Sequence, residues 1–186
     1  MIKITLPDGS VKEFASGVTP HEVALSISEG LARNVISASF NGTTIETATP
    51  LTTDGSLVLY TWNDAEGKKA FWHSTSHVMA QALEEKFPGI KLTIGPAIEN
   101  GFYYDVDFGD KRITDADFKD IEDRVLAIAK EKHEFKMRSA SKAEALELYK
   151  DNEYKTELIT NLEDGTISFC DHSTFTDLCR GGHIPN

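Results

Sequence analysis

The sequence contains little cysteine and no long apolar run. Two cysteines in 186 residues cannot form the disulfide framework of small secreted proteins, and a reducing compartment suits them better. No apolar stretch approaches the roughly 18 residues that a membrane-spanning helix requires. The N-terminal residues also lack the basic start and apolar block of a secretory signal. We therefore expect a cytoplasmic protein that has no membrane partner.

Positive charge is also scarce. The chain has 19 Lys and Arg residues against 30 Asp and Glu residues, which gives a formal net charge of −11. Proteins that grip a long duplex usually show a basic surface, because their cations replace the counterions of the phosphates. The charge balance therefore argues against an extended nucleic-acid footprint supplied by this chain alone. It does not exclude local basic clusters such as Lys68-Lys69.

The first 62 residues predict a small module of strands around one helix. Its predicted strands are residues 2–6, 11–14, 35–40, 43–46 and 56–61. Asn41-Gly42 is a typical hairpin turn between two of them. Thr19 and Glu22 form a predicted capping box at the start of the helix, and Gly30 is expected to end it. This order is typical of a ubiquitin-like, or β-grasp, domain.

Residues 63–186 predict a second, larger domain with an antiparallel sheet and a long helix. The domain boundary is placed at residues 63–69, which are polar and contain glycine. Helices are predicted to begin near Trp72, Thr114, Ser141 and Tyr154. The predicted β segments are residues 90–93, 97–108, 134–138 and 166–170, and Asn100-Gly101 marks a hairpin within the second. The helix after Thr114 has a predicted buried stripe of Phe118, Ile121, Val125 and Ile128. Helices and hairpins in this order indicate an α+β protein.

Two pairs of reactive side chains share a four-residue spacing. His73 and His77 would lie on one face of the long helix, because residues i and i+4 are neighbours there. Cys179 and His183 repeat the spacing, and the glycines between them allow the backbone to approach a bound group closely. Either pair alone is weak evidence, since such spacings arise by chance. The two matched pairs together predict a functional site.

Three chemistries are open for these residues. Three imidazoles and a thiolate form a zinc ligand set, although Ser74 stands where a His-Glu-x-x-His metalloprotease has its glutamate. In metal-free hydrolysis, the imidazoles would deprotonate a water, Asp177 would fix one imidazole, and a lysine would stabilise charge on a reacting ester. As a third possibility, Arg180 and the imidazoles would favour a nucleophilic thiolate at Cys179.

The remaining candidates are predicted to have structural roles. Surface positions are predicted for three histidines, which are His21, His133 and His172. Cys170 is expected in the core because it ends a predicted strand. The aromatic residues between Phe102 and Phe108 are expected to build core as well, with Tyr103 and Tyr104 as candidates for lining a pocket.

Four segments together resemble the N-terminal region of bacterial-type threonyl-tRNA synthetases. They are His-Ser-Thr-Ser-His from His73, Gly-Phe-Tyr-Tyr-Asp-Val-Asp-Phe from Gly101, Asn-Glu-Tyr-Lys ending at Lys155, and Asp-Leu-Cys-Arg-Gly-Gly-His ending at His183. The resemblance spans the whole chain. It implies a β-grasp TGS domain over residues 1–62 and a tRNA-editing domain, shortened at its C-terminal end, over residues 63–186. In this family, the editing domain hydrolyses the ester in serine mischarged on threonine tRNA.

The resemblance also implies which residues form the site. The implied catalytic residues are His73, His77, Lys155, Asp177, Cys179 and His183, and the implied substrate contacts are Tyr104, Arg180 and Gly181. The threonyl editing site is understood to work without a metal, whereas related alanyl-tRNA editing domains bind zinc through the same pattern. Such a zinc would use His73, His77, Cys179 and His183 here. Replacing Lys155 by alanine is expected to abolish hydrolysis and to leave the fold intact.

The implied partner is the 3′ end of threonine tRNA, and no cofactor is expected in this chain. The full-length family enzyme implies ATP, Mg²⁺ and a zinc in a catalytic core, and a homodimer formed through domains that this chain lacks. No aminoacylation is expected from the chain alone. Serine and threonine differ by one methyl group, worth only about 1–3 kcal/mol of discrimination, so a second site is needed for correction. The alternatives are a zinc-dependent alanyl-type editing domain and a non-catalytic module that docks tRNA or a partner.

Overall fold

The computed structural model describes residues 1–186 and shows an α+β protein, which confirms the fold class predicted from the sequence. The chain divides into two compact units, Met1–Ser74 with Gly181–Pro185 and Thr75–Arg180 with Asn186. The division falls inside one continuous helix, α3 (Ala65–Lys86). The domain boundary predicted after residue 62 stays a prediction. None of the helices combines the length and apolar composition of a membrane-spanning segment.

The first unit is built on a five-stranded sheet. Its elements before α3 are β1 (Ile2–Thr5), β2 (Val11–Phe14), α1 (Pro20–Ile27), α2 (Glu29–Asn34), β3 (Val35–Phe40), β4 (Thr43–Ile45) and β5 (Gly55–Thr61). The strand order is β2-β1-β5-β3-β4, with β1 and β5 parallel and the other neighbours antiparallel. Residues from the sheet and from α1, including Ile4, Val23 and Leu57, share one buried core. This is the predicted β-grasp arrangement.

The first helix ends earlier than the sequence predicts. Ser28 is extended, with φ −166° and ψ 150°, and it separates α1 from α2. Its hydroxyl accepts a hydrogen bond from the Leu31 N–H at 3.0 Å, which is the interaction of an N-cap residue. Gly30 therefore lies inside α2, and the prediction that it ends a helix is wrong.

The long helix begins earlier than the start that the sequence predicts near Trp72. Helix α3 begins at Ala65. Just before it, Asp64 Oδ2 accepts hydrogen bonds from the N–H and the hydroxyl of Thr61 at 2.7 and 2.9 Å. A Cβ atom at Gly67 would lie 1.9 Å from the carbonyl oxygen of Thr61. The glycine is required because the helix passes so close to the preceding backbone.

The second unit combines the C-terminal part of α3 with three more helices and seven strands. These are β6 (Lys91–Leu92), β7 (Ala97–Ile98), β8 (Gly101–Phe102), β9 (Val106–Asp107), α4 (Asp115–Glu131), β10 (Lys136–Ser139), α5 (Lys142–Leu148), α6 (Glu153–Thr160), β11 (Ser168–His172) and β12 (Phe175–Leu178). Strands β10, β11 and β12 form an antiparallel sheet in that order. Leu83, Ile121 and Phe175 belong to a core shared by α3, α4 and β12.

The β segment predicted over residues 97–108 consists of three short strands, and the hairpin predicted at Asn100-Gly101 joins β7 to β8. β8 pairs with β7, whereas β9 pairs with β6, so the strand partner changes along the segment. Between β8 and β9, the N–H groups of Tyr103 and Asp105 donate to the carbonyls of Pro96 and Ile94 at 3.1 and 2.9 Å. Apolar and polar residues therefore alternate along this segment although it does not form one regular strand.

Two predictions about burial are wrong. Phe118, which was predicted in the buried stripe of α4, is 49% exposed, although Ile121 and Ile128 on the same helix are buried. His172, which was predicted on the surface, is only 3% exposed on β11. Its ring stacks on Phe135, with centroids 4.3 Å apart, and its Nδ1 lies 2.9 Å from Gln81 Oε1. Partners that are distant in sequence therefore bury this histidine.

Candidate active site

A buried ion pair joins Lys155 on α6 to Asp177 on β12 within the second unit. Lys155 Nζ lies 2.5 Å from Asp177 Oδ1, and the two side chains are 2% and 5% exposed. Asn152 positions the start of α6, since its Oδ1 accepts from the Lys155 N–H at 3.1 Å and its Nδ2 donates to the Leu92 carbonyl at 2.8 Å. Removing two charges from water is costly, so such a pair requires well-formed hydrogen bonds.

The second oxygen of Asp177 is also engaged. Oδ2 accepts a hydrogen bond from the Tyr104 hydroxyl at 2.7 Å and lies 3.1 Å from His77 Nδ1. Burial raises the pKa of Asp177, but the Lys155 charge and the His77 hydrogen bond outweigh burial and hold the pKa below its ordinary value. The carboxylate is therefore ionised at neutral pH, with Lys155, Tyr104 and His77 beside its two oxygens.

The Tyr104 ring fits into this network because it packs against the backbone of Gly95. Burial, and then the negative charge of Asp177, raise the pKa of Tyr104 above its ordinary value, so its hydroxyl stays a donor. A Cβ atom at Gly95 would lie 2.4 Å from Cδ2 of the Tyr104 ring. The Gly95 carbonyl also accepts a hydrogen bond from Ser76 Oγ at 3.2 Å. The sequence patterns did not single out Gly95, since nothing in them shows which backbone the ring approaches.

His73 and His183 form a stacked pair within the first unit. Their ring centroids are 4.7 Å apart and the rings are inclined by 25°. His73 Nδ1 lies 3.3 Å from the Gly182 carbonyl oxygen, and His183 has no exposed surface. The C-terminal segment is tied to α3 by Ser74, whose hydroxyl accepts from the Ile184 N–H at 3.0 Å.

All three histidines of the predicted site have Nδ1 beside an oxygen acceptor. The acceptors are the Gly182 carbonyl for His73, the Asp177 carboxylate for His77 and the Glu46 carboxylate for His183. Carbonyl and carboxylate oxygens only accept hydrogen bonds, so the hydrogen bonds of His73 and His183 favour the tautomer that has its proton on Nδ1. In the neutral form, Nε2 is then the basic nitrogen, as general-base chemistry or metal binding requires.

The other predicted residues lie near the end of β12. Cys179 is buried, and its N–H donates to the Ser168 carbonyl at 3.0 Å, which extends the pairing of β11 and β12. Arg180 is exposed. Gly181 and Gly182 have φ values of 93° and 87°, a left-handed conformation that residues with a Cβ rarely adopt. Four of the site residues, which are His73, His77, Cys179 and His183, carry the nitrogen and sulfur donors that zinc prefers.

Comparison with known proteins finds one matching domain family and several similar ligases. The family model described as TGS domain matches residues 2–61. The chain is 82% identical over 186 residues to Threonine–tRNA ligase of Flavobacterium johnsoniae and 79% identical over 186 residues to that of Flavobacterium psychrophilum. The chain matches the N-terminal region of bacterial threonine–tRNA ligases. The resemblance seen in the sequence motifs is thereby confirmed.

The chain corresponds to the N-terminal part of these ligases. Each of the two Flavobacterium matches covers 100% of this chain and 29% of the relative. The Threonine–tRNA ligase of Cytophaga hutchinsonii is 52% identical over 188 residues, with the same two coverages. In this threonine–tRNA ligase region, Glu46 belongs to the TGS domain, whereas Lys155, Asp177 and Tyr104 lie beyond it.

Replacing Tyr104 by phenylalanine should measure the contribution of its hydroxyl to the buried network. Tyr104→Phe removes one donor from the ionised Asp177 carboxylate without changing the size of the ring. We expect the free energy of unfolding to fall by about 1.5–3 kcal/mol, the usual range for a hydrogen bond to a charged group. Tyr103→Phe is the matched control, because Tyr103 is 66% exposed, and its effect should stay within about 0.5 kcal/mol. Equal effects in urea denaturation would contradict the assigned network.

Proposed function

We propose that the chain is an editing hydrolase that cleaves the ester of serine mischarged on threonine tRNA. The observation that carries the proposal is the buried network in which Asp177 holds Lys155, Tyr104 and His77. A buried ion pair is costly to fold compared with an apolar pair, and groups with a strongly shifted pKa, such as Asp177 and Tyr104, cluster at functional sites. The presence of this pair in a chain similar to threonine–tRNA ligases favours a chemical step on an aminoacyl ester.

Hydrolysis of the ester requires a general base and a cation that stabilises the developing negative charge. Nε2 of His73 or His183 takes a proton from water as the water oxygen attacks the ester carbonyl carbon. The cation of Lys155 stabilises the negative charge that develops on the carbonyl oxygen. The bond between the carbonyl carbon and the ribose oxygen then breaks. The imidazolium returns its proton to that ribose oxygen, and the products are serine and uncharged tRNA.

The other site residues support these groups. Asp177 fixes the His77 ring through Nδ1 and neutralises the buried Lys155 before substrate binds. We include the Cys179 thiol among the catalytic residues, and we assign substrate contacts to Tyr104, Arg180 and Gly181. Specificity would come from close contacts that exclude the methyl group of threonine while admitting serine, as in a double sieve.

The remaining functions of the whole ligases would reside in other parts of such an enzyme. There the chain would act beside a catalytic core that uses ATP, Mg²⁺ and zinc, in a homodimer held together by that core. The acidic chain would contact only the 3′ end of the tRNA, because its net charge of −11 disfavours an extended phosphate footprint. We expect no aminoacylation by the chain itself.

Hydrolysis of serine-charged threonine tRNA tests the proposal, with threonine-charged tRNA assayed in parallel. We expect rapid release of serine and slow release of threonine. His183→Ala should lower the rate of serine release by about 10²–10⁴-fold, the usual effect of removing a general base. His21→Ala is the matched control, since His21 is exposed at the start of α1, and its rate should equal that of the wild type. Release of neither amino acid would favour the non-catalytic docking function.

A zinc-dependent, alanyl-type editing site is a second candidate. The specific observation in its favour is that Nδ1 of each of three imidazoles lies within 3.3 Å of an oxygen, an arrangement that also surrounds zinc-binding histidines. Its ligands would be His73, His77, Cys179 and His183, and the metal would lower the pKa of a bound water. One zinc per chain, with loss of hydrolysis on chelation, would support this candidate. Full activity in metal-free protein would refute it.

A further inference from the structure

The hydrogen bonds of Glu46 connect the TGS domain to the segment that carries His183. We propose that Glu46 is a positioning residue for the His183 imidazole, so that the TGS domain supplies part of the hydrolytic machinery. This inference rests on the proposed editing function, because that function gives His183 its role as a base. No motif in the sequence singles out Glu46.

The backbone around Glu46 is fixed by the fold of the TGS domain. Glu46 follows β4 directly, and its carbonyl accepts a hydrogen bond from the Thr49 N–H at 3.0 Å. The next residue, Thr47, is buried, and its carbonyl accepts from the His21 N–H at 3.0 Å. The carboxylate therefore extends from a turn that is anchored to the start of α1. A positioning residue needs a rigidly held backbone of this kind.

One oxygen of Glu46 receives two donors from the C-terminal segment. Oε1 lies 2.9 Å from the Gly182 backbone nitrogen and 3.1 Å from His183 Nδ1. Burial raises the pKa of Glu46, but the hydrogen bonds from His183 and Gly182 outweigh burial and hold the pKa below its ordinary value. The carboxylate is therefore ionised at neutral pH and acts only as an acceptor.

The two glycines before His183 allow both donors to meet this oxygen. Gly181 and Gly182 are both in the left-handed region of backbone conformation. A Cβ atom at Gly181 would lie 3.1 Å from Glu46 Oε1, closer than most carbon contacts in proteins. Both the conformation and the close approach therefore favour glycine. The double glycine of this segment is accounted for by its approach to Glu46.

Glu46 also supports His73 through Gly182. The Gly182 carbonyl oxygen lies 3.3 Å from His73 Nδ1, and the His73 ring stacks on the His183 ring. Holding Gly182 and His183 in place therefore fixes the acceptor and the stacking partner of His73 as well. A single carboxylate of the TGS domain orders both imidazoles to which the proposed function assigns base chemistry.

Without this acceptor, the His183 ring would lose the restraint that sets its tautomer. In the Nδ1–H tautomer, Nε2 has the lone pair that accepts a proton from water. In the other tautomer, Nε2 carries a proton and cannot act as a base. Loss of Glu46 should therefore lower the rate of the chemical step more than it lowers binding of the charged tRNA.

The test compares Glu46→Ala, Glu46→Gln and the control Glu13→Ala in the full chain. Glu13 is an exposed residue on β2 of the same domain. Two measurements are made on each variant: the single-turnover rate of serine release from mischarged threonine tRNA, and the tautomer of His183 by nitrogen-15 NMR of the imidazole. Comparison with His183→Gln assigns the signals.

We expect Glu46→Ala to lower the single-turnover rate by about ten- to hundred-fold, as for the loss of other carboxylates that orient histidines. Its His183 should show a mixture of tautomers. Glu46→Gln should keep the Nδ1–H tautomer and remain within a few-fold of the wild-type rate, because its amide oxygen still accepts. A residue that served only as a structural clamp would not shift the tautomer. Glu13→Ala should match the wild type in both measurements.

Glu46→Ala with the wild-type rate and an unchanged tautomer would overturn the inference. If Glu46→Ala does not fold, Glu46→Asp takes its place with the same expectations, since its carboxylate is one methylene too short to reach both donors. The two proposals can fail separately. A wild-type chain that does not hydrolyse the ester contradicts the editing function, whereas the tautomer measurement still tests whether Glu46 positions His183.

Discussion

Lys155→Met should abolish hydrolysis of serine-charged threonine tRNA and destabilise the folded chain by about 3–5 kcal/mol. The substitution leaves the ionised Asp177 buried without its cationic partner, and the side chains of this pair are only 2% and 5% exposed. The sequence suggested that the fold would tolerate the loss of Lys155. The burial of the pair argues against that expectation. Urea denaturation and a deacylation assay on the same preparation measure the two effects.

The double variant Lys155→Met, Asp177→Asn separates stability from catalysis. It removes both charges, so no buried charge is left unpaired, and most of the lost stability should return. Hydrolysis should remain absent because the stabilising cation is missing. Lys150→Met is the matched control for the loss of a lysine at an exposed position, and its effect should stay within about 0.5 kcal/mol. A Lys155→Met variant as stable as the wild type would contradict the buried ion pair.

Gly67→Ala should destabilise the first unit by about 3 kcal/mol or more, although alanine is the better helix former. The added Cβ would lie 1.9 Å from the Thr61 carbonyl oxygen, and that atom belongs to the backbone just before α3. Either the end of β5 or the start of α3 must move to accommodate it. Thermal and urea unfolding of the variant measure the loss.

Gly30→Ala in the same unit should raise stability, whereas Gly67→Ala should lower it. Gly30 lies in α2, and the nearest atom to its added Cβ would be Ser28 Oγ at 3.9 Å, an ordinary contact. Alanine should therefore stabilise the chain by about 0.5–1 kcal/mol, as expected from helix propensity and from the less flexible unfolded chain. If both alanine variants gained stability, the close approach of α3 to Thr61 would be wrong.

Some residues of the candidate site could be predicted from the sequence, and others could not. His73 and His77 were identified by their helical spacing, and both lie on α3 as predicted. Asp177 was proposed from the sequence to fix an imidazole, whereas Lys155 was identified only through the resemblance to the synthetase family, and the fold joins the two in one ion pair. Glu46 was not identified at all. An acidic residue after a short strand has no distinguishing pattern until the partner of its carboxylate is known.

The sequence by itself determined the local elements of this protein. Thr19 and Glu22 form the predicted capping box, with hydrogen bonds of 2.8 and 3.2 Å, and the strands of the β-grasp domain lie close to their predicted positions. These features depend on backbone preferences and side-chain periodicity within a few residues, so they can be recognised without the fold. The motifs likewise indicated the resemblance to threonine–tRNA ligases.

Only the tertiary structure decided which distant residues meet. Glu46 and His183 are separated by 137 positions, and Tyr104 and Asp177 by 73. The burial of His172 against Phe135 and the need for a glycine at position 67 arise in the same way, from packing between separate elements. Local propensities and periodicity do not encode such pairings, because they depend on how whole elements fill the space around a shared core.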